Sequence, residues 1–65
     1  MPEYIVRMQR ELTALNDKQS KLVDYLKKNH SKLDTKKFCL MQQQLVAMDN
    51  YITILSLRIE LEITE

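Results

Sequence analysis

Two apolar stripes of identical spacing constrain this chain more than any other feature. Ile5, Met8, Leu12, Leu15, Gln19, Leu22 and Leu26 advance by alternating steps of three and four residues, and only Gln19 is polar. Phe38, Met41, Leu45, Met48, Ile52, Leu55 and Ile59 repeat those steps, all apolar. Such spacing is the seam of paired helices, whose apolar residues must recur about every 3.5 positions to keep facing one partner. The intervening NHSKLD, residues 29–34, is short, and a short link between helices forces an antiparallel hairpin. Asn29 is placed to end the first helix in a left-handed turn, and Asp34 to cap the second. Leu26 then faces Phe38, Leu22 faces Met41, Gln19 faces Leu45 and Leu15 faces Met48. Leu12 with Ile52, Met8 with Leu55 and Ile5 with Ile59 complete the layers without a slip. The expected fold is all-α: one coiled-coil-like helical hairpin over residues 1–65. Its helices cover about 3–28 and 35–60, with a frayed tail at 61–65. Gln19 reads either as a solvated group at the core edge or as a device that fixes register.

The closing stretch LSLRIELEITE complicates that picture. From Leu55 to Thr64 it alternates apolar and polar residues, the signature of a half-buried strand. Both helical stripes run through Leu55, Arg58, Ile59 and Leu61 with spacings begun far upstream. A helix to about residue 60 therefore explains most of the segment, leaving Leu57 and Ile63 unaccounted for. The competing account is a strand pair between two copies.

A chain of 65 residues hides only about 60% of its extended surface on folding, so its own core is marginal. One cysteine, Cys39, rules out an internal disulfide, and His30 has no companions with which to build a zinc site. Self-association is the remaining common route to stability, so the hairpin is expected to assemble into a homo-oligomeric helical bundle. The surface for it is a stripe beside the second seam: Leu40, Gln44, Ala47, Tyr51, Ile54, Arg58 and Leu61. Tyr4, Arg7, Glu11, Ala14, Lys18, Lys21 and Tyr25 lie beside the first seam on the same side of the hairpin.

Charge and composition exclude several classes. Ten basic against nine acidic residues argue against a generic nucleic-acid binder. With no glycine, the usual phosphate-cradling loops are impossible. No apolar run is long enough to span a bilayer or serve as a signal peptide, and a lone thiol suits the cytoplasm. Cys39 near a helix start, with His30 across the turn, lacks a third orienting group, so no catalytic residues, metal or cofactor are expected. The tip, residues 27–37, holds five lysines against one aspartate; Lys27, Lys28, Lys36 and Lys37 are weaker anion or partner candidates. Arg7, Arg58 and Tyr4 near the open end could hold a phosphate and stack a base, or form a solvated charge cluster with Glu11.

The stretch LMQQQLVAMDNYITILSLRIE, residues 40–60, resembles a family of small phage and prophage proteins, the crAss-like-phage-related short helical proteins. The likeness rests on Gln44-Leu45, Ala47-Met48, Tyr51, Ile54-Leu55 and Arg58-Ile59, with Tyr4, Arg7-Met8, Glu11 and Lys18 in the first helix. Some relatives of that family are anti-CBASS proteins, oligomeric sponges that sequester cyclic oligonucleotide signals of bacterial defence. The resemblance implies a non-enzymatic sponge in the host cytoplasm, with Tyr4, Arg7, Glu11, Lys18, Tyr51 and Arg58 as the nucleotide site. Two other functions remain open: an inhibitor that binds a host defence protein, and a structural or assembly adaptor.

Overall fold

The computed structural model describes residues 1–64, and Glu65, the last residue of the expected tail, lies outside them. Two helices make up the fold: α1, Glu3–Asn29, and α2, Thr35–Thr64. They pack on each other as a hairpin, a rod measuring 47 × 15 × 13 Å. Its long dimension is the length of α2, since 30 residues at about 1.5 Å each span about 45 Å.

The seams are where the spacing put them. Ile5, Leu26, Leu55 and Ile59 are buried, and the other ten seam residues are half-buried. Burial is deepest toward the open end, where Ile5 is 3% and Leu55 0% exposed. Among the described residues, three cross-helix hydrogen bonds fasten the register. Tyr4 Oη donates to Glu62 Oε2 at 2.7 Å, Tyr51 Oη donates to Glu11 Oε1, and Gln19 Nε2 reaches Asp49 Oδ1 at 3.4 Å. Gln19 is half-buried and engaged across the seam, which favours its role in register over that of an idle polar edge.

The link departs from expectation. Asn29 does not enter a left-handed turn, and no described residue has positive φ. A non-glycine residue in that region costs about 1–2 kcal/mol, and the chain has no glycine to avoid it. Instead the chain turns with right-handed geometry at His30, φ −57° and ψ −33°. The Asn29 carbonyl accepts from the Lys32 and Leu33 amides at 2.9 and 3.2 Å, and Asn29 Nδ2 donates back to the Tyr25 carbonyl at 2.9 Å. Asp34 caps α2 through Oδ1, which accepts from the Lys37 amide at 2.8 Å.

The helix also continues past residue 60, where an end was expected, and residues 55–64 are helical rather than a strand. Its alternation has a helical cause. Two residues advance a helix by slightly more than half a turn, so every second side chain changes face. Leu55 and Ile59 are buried in the seam, whereas Leu57 and Leu61 are 55% and 58% exposed on the opposite side. A helix that is apolar front and back therefore reads as a strand. In α1 the apolar residues keep to one side, but in α2 they occupy much of the circumference. Helices apolar all round are normally buried.

The exposed area reports the same imbalance. A compact monomer of this mass would expose about 4400 Å², and the hairpin exposes 5200 Å². At equal protein concentration, Leu55→Ala should lower unfolding stability in urea by about 2–5 kcal/mol, the range for emptying a buried leucine site. Asp34→Ala should lower it by about 1 kcal/mol, the ordinary worth of a helix cap.

Candidate functional site

One cross-helix cluster stands near the open end of the rod. Tyr4, Arg7 and Glu11 recur on α1 at steps of three and four, which aligns them on one face of a helix. Tyr51 and Arg58, seven residues apart on α2, share a face for the same reason. Antiparallel packing sets these two faces side by side, and the Tyr51–Glu11 hydrogen bond ties them directly. Tyr4 is tied in turn to Glu62, a residue outside the expected site, which the extension of α2 carries into reach. Its spacing from Ile59 continues the second seam, a signal that the assumed helix end at residue 60 concealed.

The phenols are held as hydrogen-bond donors. Tyr51 titrates above the ordinary tyrosine value because its hydroxyl donates to the Glu11 carboxylate; burial and the negative charge add to this, and Arg58 opposes it. Tyr4 is raised for the corresponding reasons, led by its bond to Glu62. Arg7 and Arg58 are exposed, and among the described residues neither has a carboxylate within 4 Å. The cluster therefore presents two open guanidiniums, two oriented phenols and two carboxylates. Cationic, hydrogen-bonding and aromatic groups thus share one exposed surface. Arg58 does not form an ion pair with Glu11, as a simple charge cluster would require.

Other expected residues fall elsewhere. Lys18 is two helical turns from Glu11, about 10 Å along the axis, and is separate from the cluster. At the tip, Lys28 pairs with Asp24 at 3.0 Å. Asp34 occupies the helix N-terminus beside Lys36 and Lys37, and its carboxylate takes the amide an incoming anion would use. His30 turns back toward the Lys27 carbonyl at 3.3 Å, and Cys39 is exposed and free. No cluster among the described residues could hold a metal ion. No helix among them is long and apolar enough to cross a membrane. The expected self-association stripe is on the surface throughout: Leu40, Gln44, Ala47, Tyr51, Ile54, Arg58 and Leu61 are all exposed. Val46 and Leu57, which the sequence reading left out, are exposed with them.

A family model described as Sequestin matches residues 2–61, nearly the whole of both helices. The chain belongs to the Sequestin family. The name denotes sequestration, which agrees with the coarser part of the resemblance at residues 40–60, a small sequestering protein. No curated protein and no solved structure matches the chain. The match spans every residue of the open-end cluster except Glu62.

The phenol geometry has a measurable consequence. Each tyrosine keeps its bond only while protonated, so the stability it contributes is complete below pH 10.0 and is lost as pH rises through the raised folded value. Ultraviolet titration of tyrosinate should show late components from Tyr4 and Tyr51. Tyr51→Phe should delete one late component and leave the other in place.

Proposed function

We propose that this chain is a stoichiometric sponge, a homo-oligomer that traps a cyclic oligonucleotide signal between its subunits on behalf of a phage. Membership in a family named for sequestration carries this reading, and the open-end cluster supplies the chemistry. Arg7 and Arg58, exposed and without a carboxylate within 4 Å among the described residues, would grip phosphates with paired N–H donors. The Tyr4 and Tyr51 rings, 47% and 41% exposed, offer faces on which a base can stack. Glu11 and Glu62 would repel phosphate, so the anionic backbone belongs on the arginine side. The carboxylates are left to accept from base amino groups or ribose hydroxyls.

The cluster lies on an open surface, and hollows of the hairpin lie elsewhere, around Ser20, Val23 and Lys27, around Leu26 and Phe38, and around Cys39 and Val46. Enclosing a ligand at the cluster therefore calls for a second subunit. Such a protein performs no reaction: each occupied site removes one signal molecule from the host cytoplasm, so its effect scales with the number of copies.

A thermal-shift screen against cyclic di- and trinucleotides tests the reading. A ligand at about 100 times its dissociation constant should add about 2.7 kcal/mol of stability, seen as a higher melting temperature. Arg58→Glu should abolish that rise while leaving the unliganded melt close to wild type. Melts unchanged by every cyclic nucleotide would eliminate the sponge. A second reading, an inhibitor docked on a host defence protein, is favoured by the exposed Ile54, Leu57 and Leu61. It requires a defence protein to co-purify with the chain from host lysate.

A further inference from the structure

The side of α2 opposite the seam is itself a seam. Leu40, Gln43, Ala47, Asn50, Ile54, Leu57 and Leu61 advance by the same alternating steps of three and four, and all are exposed. This stripe is turned from the Tyr51–Arg58 face toward Leu57, with Val46 on its flank. Its spacing is that of a helix-pairing surface, and α1 covers only the other side.

We infer that this stripe binds the same stripe of a second copy, antiparallel, about a two-fold axis at Asn50. In that orientation the stripe is palindromic about Asn50. With Asn50 on the axis facing its own copy, Ala47 meets Ile54 of the partner subunit, small against large. Gln43 meets Leu57 of the partner subunit, and Leu40 meets Leu61 of the partner subunit. The axis also falls at the middle of α2, Thr35–Thr64, so both helices overlap along their full length. One amide on the axis can hydrogen-bond its symmetry mate, the kind of single polar contact that fixes register in an apolar seam.

Charge selects the same orientation. Residues 27–37 carry a net +4, five lysines less one aspartate, and residues 60–65 carry −3 from three glutamates. Antiparallel pairing lays Lys36 and Lys37 alongside the acidic end of the other copy, and parallel pairing would set one lysine tip against another. The area agrees as well. A standard interface takes about 800 Å² from each partner, a share that one side of the 30-residue helix α2 can supply. This deepens the self-association in the sponge reading and stands without its ligand. Tyr51 and Arg58 flank the stripe, so the pairing leaves both clusters beside the interface.

Cysteine cross-linking tests the orientation. In a Cys39→Ser background, Asn50→Cys should form a disulfide dimer under mild oxidation, because a residue on a two-fold axis meets its own copy. Ser20→Cys in that background, on α1, should remain monomeric on a non-reducing gel. With Cys39 retained, Leu61→Cys should give a dimer linked twice, through Cys39 of one copy and the new thiol of the other. Sedimentation of Leu57→Glu should show half the wild-type mass with helical circular dichroism preserved. If that variant unfolds, the cross-links alone decide. A wild-type monomer at every concentration would overturn the inference and leave the stripe to a different protein. Cross-linking at Asn50 no faster than at Ser20, or dimers joined through Cys39 to Cys39, would overturn the orientation. Dimers joined at Asn50 that bind no cyclic nucleotide would keep this pairing while sinking ligand capture.

Discussion

Two helices can share only one interface, and that limit governs this molecule. The hydrophobic effect rewards apolar area removed from water at about 25 cal/mol per Å², and a hairpin removes only what its helices turn toward each other. Helix α1 meets the limit comfortably, with its apolar residues on one side and its charges on the other. Helix α2 does not, because it has apolar residues at the front in Leu55 and Ile59 and at the back in Ile54, Leu57 and Leu61. The hairpin leaves the back of α2 in water. Everything proposed about assembly follows from that unmatched side.

Within the hairpin, polar contacts choose the register that hydrophobic burial leaves loosely specified. Leucine, isoleucine and methionine tolerate a shift by one layer better than a hydrogen-bonded pair does. Tyr51 with Glu11, Tyr4 with Glu62 and Gln19 with Asp49 each need one alignment of the helices. They lie at the surface and contribute modestly to stability. Their value is in specificity, and it extends to the candidate site. The bond that aligns the helices at Tyr51 and Glu11 also ties the face carrying Arg7 to the face carrying Arg58.

The hairpin was legible because seam spacing is a geometric property that survives without coordinates: fourteen positions, read from two runs of threes and fours, are all buried or half-buried. Reading failed where a residue's surroundings depend on two faces at once. Leu57 looked anomalous because one apolar face was assumed, and the strand-like alternation came from the same assumption. The end of α2 was placed too early, which hid Glu62 and the partner of Tyr4. At the turn, a preference of asparagine for left-handed geometry was outweighed by a local solution, with the Asn29 carbonyl taking two amides and its side chain capping Tyr25. The clustering of Tyr4, Arg7, Glu11, Tyr51 and Arg58 was readable from the register. That neither arginine has a carboxylate within 4 Å among the described residues was not.

The placement of burial along the rod bears on how the chain matures. Contacts near the turn link residues close in sequence and form early at small entropic cost. The driest part of the seam lies at the other extreme, where Ile5 and Ile59 are both buried. Ile5, near the start of α1, therefore stays wet until α2 has been laid down as far as Ile59, and the zipper closes last at its driest end.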